Sequence, residues 1–401
     1  MIRKIFLGTS LMISCCAFSL SPNDLLSKAI PFYLSQSPSS QLLAVNEYGP
    51  AIALAAVFDC ARLFEQPLWA QNATTIIDGF LNNPSSPAYA LAMGQYVNPG
   101  YSIGDALGLL PLSYAARAQY NNISYTNDDI NWKLSTIVVD QYVLPWNKTL
   151  PDGTISRDVG SWAPNQPDVN ASFLWSDDQF MGSAMAVRLG TSLGFPTNKA
   201  VIYAEFVAKQ QIGFASRMMD SSTGLFFHGY NAATNDNSCC HWSRANGWIM
   251  MAHAEVVKLL VAAAPNSPLL QQVVYVWQKH TAGLLSVQNK SDGRWHEVLD
   301  HPETYLETSA TAMFIQSMVD GVLGGFLDRS SVTPAINLAW EGLSQTIEAS
   351  GEVTGICEGT GIGANVEFYQ ARSTAYSSSA PGIGSVFRAA YAYEMFSKSS
   401  L

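Results

Sequence analysis

The stretch HWSRANGWIMMAHAEVVKLL, residues 241–260, follows a pair of adjacent cysteines and carries apolar side chains at helical spacing. That spacing predicts a long helix over 244–261 rather than a strand. Working outward, the same periodicity recurs at 22–37, 45–64, 69–81, 105–119, 129–144, 178–193, 197–218, 267–286, 305–322, 331–348 and 382–397, twelve helices in all. Strand signals are few, and Gly, Pro, Asn, Asp and aromatic residues collect in the connections, above all 145–175, 219–243, 288–304 and 349–381. The predicted class is all-α. No charged or Gly/Ser-rich linker divides the helices, so one domain over 21–401 is expected. Two helical layers wound into a toroid of six hairpins would bury a face of every helix and gather the long connections at one rim. A two-domain bundle fits the periodicity as well, because no sequence repeat is visible.

Composition agrees with a large core. Of 401 residues, 48% are hydrophobic and 13% charged, a balance opposite to that of disordered chains. The opening MIRKIFLGTSLMISCCAFSLS (1–21) places Arg3 and Lys4 before an apolar run and then small residues, the pattern of a secretory signal over 1–20. No later run reaches the roughly 18 apolar residues of a membrane span, so the mature protein is expected to be secreted and free of the membrane. Loss of Arg3 and Lys4 takes the formal charge from -10 to -12, with 19 basic against 31 acidic residues, which argues against a nucleic-acid partner.

Four cysteines would remain: Cys60, Cys239, Cys240 and Cys357. A bond between neighbours 239 and 240 would strain the local backbone, so the expected disulfide joins Cys357 to one of that pair. Asn72, Asn122, Asn147, Asn170 and Asn289 each begin an N-x-S/T triplet open to glycosylation.

Candidate chemistry lies where loops become helices. FLWSDDQFMG (173–182) puts Asp177 and Asp178 at a helix start, where an aspartate either caps free N–H groups or serves as an acid among apolar neighbours such as Trp175 and Phe180. YSIGDALGLLPLSYAARAQY (101–120) offers Asp105 in the same position. GLFFHGYN (224–231) carries His228 on an aromatic, glycine-rich connection. In HWSRANGW, Trp242 and Trp248 bracket Arg244, and Arg244 and Trp248 share a helix face. A guanidinium binds a carboxylate through two parallel hydrogen bonds while rings stack on apolar sugar faces, so the group suits an acidic sugar; packing of Arg on Trp is the alternative. HEVLDH (296–301) spaces its histidines five apart and lacks the zinc-helix pattern, and GTGIG (359–363) follows no strand signal. Neither supports a metal or a cofactor, and none is expected.

These stretches, with GRWHEVLDHPETYLETSATAMF (293–314) and more loosely GEVTGICEGTGIG (351–363), resemble glycoside hydrolase family 105, the unsaturated rhamnogalacturonyl hydrolases. The unsaturated glucuronyl hydrolases of family 88 are more distant kin. Five motifs match in order over about residues 100–365. The resemblance implies an (α/α)6 barrel, in agreement with the helix count, and hydration of the C4=C5 double bond that polysaccharide lyases leave on a non-reducing-end uronic acid. It implies Asp177 as the acid/base, with Asp178 as the alternative, and Asp105 as a second aspartate, although the loop between Asp105 and Asp177 is longer than the family pattern. It implies that His228, Trp242, Arg244 and Trp248 line the pocket, Arg244 for the carboxylate; Trp175 and Asp178 adjoin them as further expected substrate contacts. A conventional inverting glycosidase using Asp105 and Asp177, and a carbohydrate-binding protein without turnover, are the competing readings.

Overall fold

The computed structural model describes residues 19–36, 48–85, 87–94, 110–158, 172–375 and 382–399. The HWSRANGW stretch begins a helix over Ser243–Ala263, and every residue from Ser243 to Val257 is buried. A helix enclosed on all sides must lie inside the molecule, flanked by other helices.

Among the described residues, twelve longer helices follow one another: α1 (Pro22–Gln36), α2 (Tyr48–Leu63), α3 (Pro67–Leu81), α4 (Leu110–Tyr120), α5 (Ile130–Val138), α6 (Ala184–Gly190), α7 (Thr197–Met218), α8 (Ser243–Ala263), α9 (Pro268–Val287), α10 (Thr308–Leu323), α11 (Arg329–Ser344) and α12 (Ile383–Lys398). The even-numbered helices pack side by side in a closed ring, α2 against α4, α4 against α6, and so on to α12, which returns to α2. The odd-numbered helices lie outside them, each pairing with an inner neighbour. This is the (α/α)6 barrel. One continuous apolar core runs through it from Leu25 to Phe396.

Connections alternate in length, and that alternation locates the site. Those leaving inner helices are short, as at 64–66, 191–196 and 264–267. Those entering inner helices are long, as at 139–183, 219–242, 288–307 and 345–382. Because each long connection joins an outer C-terminus to an inner N-terminus, all of them share one rim, with the inner helices' N-termini pointing toward it. Aligned peptide dipoles give that rim a positive bias in an acidic protein.

Short strands stitch the long connections together. β1 (Arg157–Asp158), β2 (Ser172–Trp175), β3 (Gly229–Asn231) and β4 (Asp236–Asn237) form one antiparallel sheet in that order. β5 (Trp295–His296) pairs with β6 (Leu306–Glu307), and β7 (Ile356–Cys357) with β8 (Thr374–Ala375). The segment expected as one helix over 178–193 is broken at Ser183 into a turn, Asp178–Met181, and α6.

Candidate active site

Register places the first pair of side chains. Trp175 of β2 lies opposite Gly229 of β3. The chain just beyond Trp175 therefore runs beside the chain just before Gly229, and Ser176 N–H donates to the His228 carbonyl at 3.1 Å. Asp177 and His228 are thereby brought together, with Asp177 Oδ2 at 3.5 Å from His228 Nε2. Asn246 of α8 holds the second loop in place. Its side chain accepts from Phe226 N–H at 2.8 Å and donates to the carbonyls of Phe226 and Trp242 at 2.9 Å each.

The two adjacent aspartates have different partners. Asp177 is 9% exposed, makes no capping bond to the turn it begins, and its Oδ2 has no hydrogen-bond partner among the described residues. Asp178 gives both oxygens to Arg157, at 2.7 Å from Nε and 2.6 Å from Nη2. The Arg157 guanidinium lies 4.5 Å from the centre of the Trp175 ring. The carboxyl left available for chemistry is that of Asp177.

A chain of hydrogen bonds holds His228 in place. Tyr369 Oη accepts from Gly363 N–H at 2.9 Å and shares a hydrogen bond with His228 Nδ1 at 2.8 Å. Nε2 is left facing Asp177. Burial pushes the His228 pKa below its ordinary value despite the upward pull of Asp177, so the ring is neutral near pH 7. Burial likewise raises that of Tyr369, which stays a phenol.

Trp242 is the shared floor. Its ring lies 4.6 Å from that of His228, and the Arg244 guanidinium lies 4.8 Å from its centre. Arg244 is fully buried. Nη1 donates to the Cys357 carbonyl and stands 3.9 Å from Glu307 Oε1, whereas Nε and Nη2 have no partner among the described residues. Those two N–H groups form one edge of the guanidinium, the geometry that takes a carboxylate in bidentate fashion. Burial works against the charge, but Cys357 and Glu307 outweigh it and hold the Arg244 pKa above its ordinary value. Gly359, at φ +136, passes beside Nη2 and leaves space there: a Cβ on it would still be 3.8 Å away.

Trp248 stands apart from this group. Its ring stacks on Phe180 at 5.2 Å and meets Tyr48 edge-on at 5.7 Å, which supports the Asp178–Met181 turn from below. Trp175 meets His228 edge-on at 5.6 Å. Asp105 lies outside the described residues, as do Asn170 and residues 1–18. Sequence reasoning missed Arg157, Tyr369, Asn246, Glu297 and Glu307. Asn246, Glu297 and Glu307 stand inside motifs already quoted, without a local pattern that marks them.

The expected disulfide is corrected. Cys239 is bonded to Cys240, and Cys357 is a free, buried thiol. The Cys357 side chain packs against Tyr305 and Glu297 instead. The Cys239–Cys240 bond ends the β3–β4 hairpin, where the Cys240 carbonyl accepts from His228 N–H at 3.2 Å. Beside it a cavity of about 340 Å³, lined by Phe173, Asn231, Asp236, Ser238, Cys239 and Gly363 among others, opens between the hairpin and the 362–364 loop.

Known proteins share this architecture. A likeness of 26% identity over 247 residues links the chain to the unsaturated rhamnogalacturonyl hydrolase YesR of Bacillus subtilis (strain 168), covering 61% of this chain. The match spans 65% of that protein, less than two thirds of its length. Among solved structures, a family 105 glycoside hydrolase from C. acetobutylicum ATCC 824 superposes with a TM-score of 0.73 at 19% identity, covering 92% of this chain and 99% of its own. A possible family 105 member from Klebsiella pneumoniae gives 0.72 at 18% identity, covering 99% and 100%. The sequence model for Glycosyl Hydrolase Family 88 matches residues 116–397, more than half of the chain. The chain belongs to that family, with solved family 105 structures as its neighbours in fold.

Proposed function

We propose that the protein is a glycoside hydrolase that releases a 4,5-unsaturated uronic acid from the non-reducing end of lyase-generated rhamnogalacturonan or pectin oligosaccharides. The observation that carries this reading is the pairing, across Trp242 and His228, of an unclaimed carboxyl on Asp177 with an unclaimed donor edge on Arg244. The relationship to YesR, whose name states that activity, supports the substrate class.

In this reading Arg244 holds the sugar carboxylate through Nε and Nη2, which keeps the enoate fixed in a water-poor site while C5 becomes electrophilic. Protonated Asp177 gives its hydrogen to C4, and positive charge develops at C5 and the ring oxygen. His228 is neutral, so it places no full positive charge against Asp177 before the transfer. Its Nε2–H steadies the carboxylate that remains afterward. That carboxylate takes a proton from water as the water oxygen bonds to C5. The resulting hemiketal opens by breaking the C5–ring oxygen bond, and the hemiacetal left at C1 expels the rest of the oligosaccharide. Trp242 backs His228 and Arg244 from behind, and Trp175 supplies a flat face beside the sugar ring.

Incubating the purified protein with lyase digests of several polymers tests this reading, since hydration removes the ultraviolet absorbance of the conjugated enoate. Loss of absorbance on rhamnogalacturonan fragments is the expected result. Turnover of saturated glycans with the absorbance intact would instead support a conventional inverting mechanism. Arg244→Ala should weaken binding of the acid on the order of a hundredfold and leave affinity for its methyl ester nearly unchanged. Equal wild-type affinity for acid and ester would remove the carboxylate clamp.

We also propose that the protein acts outside the cell. Arg3 and Lys4 before an apolar run support export, and the Cys239–Cys240 bond suits an oxidising compartment. N-terminal sequencing of secreted protein checks it, with cleavage near residue 20 expected.

A further inference from the structure

A second carboxyl lies beneath Trp242. β5 and β6 pair with Trp295 opposite Glu307, and just beyond this register Glu297 N–H donates to the Tyr305 carbonyl at 2.7 Å. The Glu297 carbonyl accepts from Ser243 N–H at 2.9 Å, so its backbone is tied to the first residue of α8. Its side chain is fully buried and meets the N–H edge of the indole. Oε1 accepts from Trp242 Nε1–H at 2.8 Å, and Oε2 has no partner among the described residues.

Glu307, beside it, is fully supplied with donors. Its oxygens accept from Cys357 N–H at 2.9 Å, from Ala310 N–H at 2.5 Å and from the Ser309 hydroxyl. These bonds cap α10 and leave Glu307 as the partner of Arg244. Two buried carboxylates beside one guanidinium would leave the cluster negative, and Glu297, with only the Trp242 indole and the Cys357 thiol as donors, is the less well supplied of the two.

We propose that Glu297 is a positioning residue that, as a neutral acid, fixes Trp242 and sets the charge Arg244 presents to an anionic sugar. It rests on the functional reading above and adds the control of that site's charge. With Glu297 neutral, Arg244 and Glu307 cancel, and a sugar carboxylate meets a cluster without net charge. When Glu297 ionises, the cluster is negative before the sugar arrives.

The surroundings set the range in which this matters. The groups facing Glu297 are Glu307 of β6, Arg244 of α8, Cys357 of β7, Tyr305 before β6 and Tyr369 of the Val366–Gln370 turn. Burial first, and Glu307 second, push the Glu297 carboxyl up to about 8, against the opposing pull of Arg244 and of the hydrogen bonds from Trp242 and the Cys357 thiol. Cys357 and the two tyrosines are shifted upward by burial and stay neutral through that range. A bound carboxylate raises the Glu297 pKa further, so binding above pH 8 must draw in a proton.

Calorimetry on Asp177→Asn protein, which cannot turn over, tests this with a lyase-made unsaturated galacturonyl-rhamnose disaccharide as probe. Titrations at pH 6 to 9.5 in buffers of different ionisation enthalpy report both affinity and proton uptake. With Glu297 in place, affinity should fall by up to about tenfold per pH unit above 8, with uptake approaching one proton. Adding Glu297→Gln, which keeps the acceptor for Trp242 but cannot titrate, should make affinity level across the range and abolish the uptake. Glu297→Leu, which removes the acceptor, should weaken binding at every pH. Absence of proton uptake between pH 8 and 9.5 with Glu297 present overturns the inference whether or not the other variants fold. The same uptake with Gln overturns it too. Failure of the Asp177→Asn protein to bind the disaccharide at any pH sinks the functional reading, and this inference with it.

Discussion

A carboxyl group can donate a proton only if nothing else claims it, and Asp177 and Asp178 divide on that point. In the sequence they are indistinguishable, two acids at the start of one turn. In the structure Asp178 faces Arg157, which arrives from 21 residues earlier on β1, while Asp177 faces the Nε2 of a neutral His228. That division depends on a register between connections that no local pattern encodes, so the residues alone could nominate the pair, and only the motif resemblance preferred Asp177. Arg244 stood out in the sequence for a different reason: it is a cation between tryptophans in a chain poor in positive charge. Its free Nε–Nη2 edge was not legible, because it arises from what Cys357 and Glu307 leave unoccupied. Asp177→Asn should therefore reduce kcat by about a thousandfold or more with KM within a few-fold, since the amide keeps the shape and cannot give up a proton to carbon. Steady-state kinetics on the unsaturated substrate checks it; residual kcat within tenfold of wild type would assign the transfer elsewhere.

Elements, rather than single residues, hold this geometry, and the β3–β4 hairpin does most to fix His228. Its two ends are tied where Gly229 N–H donates to Ser238 Oγ at 3.1 Å and Ser238 N–H to the Gly229 carbonyl at 2.8 Å. The Cys239–Cys240 bond follows at once, with Cys240 accepting from His228 and Trp242 capping α8 two residues later. Replacing both cysteines by serine should loosen the short path from the imidazole to the indole while leaving the barrel intact. The expected outcome is a loss of kcat of about tenfold or more, as misplacement by a fraction of an ångström produces, with a far smaller change in thermal midpoint. Mild reduction of the wild type should reproduce it, and reoxidation should reverse it. Activity within twofold of wild type in the serine variant would limit the bond to a passive tie. Helices longer than ten residues were readable from period alone, but strands of two to four residues carry no period to read. The cysteine pairing was misjudged for a related reason: backbone geometry at 239–240 was weighed without knowing that Cys357 would be enclosed against Tyr305 and Glu297.

At the scale of the whole molecule, the site exists because a ring closes. Twelve helices in the right order can form an open stack as well as a toroid, and sequence periodicity does not distinguish them, since each helix shows the same buried face in either. Closure is decided where the last inner helix meets the first, α12 against α2, a contact between segments more than 300 residues apart. That seam is close. A Cβ on Gly384 would lie 2.7 Å from the Ala53 backbone nitrogen, 2.9 Å from its Cα and 2.9 Å from the Ile52 carbonyl carbon. Backbone atoms cannot swing aside as a flexible side chain can, so even Gly384→Ala must push the two helices apart and loosen the packing around Phe387 and Leu54. Such overpacking costs about 1–3 kcal/mol, which for a protein of this size lowers the thermal midpoint by only a few degrees. Gly79, exposed on α3 with nothing within 4 Å of its would-be Cβ, is the matched control, where alanine should be neutral or stabilise by up to about 1 kcal/mol. Opposite signs for the two substitutions in thermal melts are expected if the α2–α12 seam closes the barrel. Equal tolerance of alanine at both positions would mean that the seam is looser than its geometry requires, and that the long connections at the rim keep the ring shut.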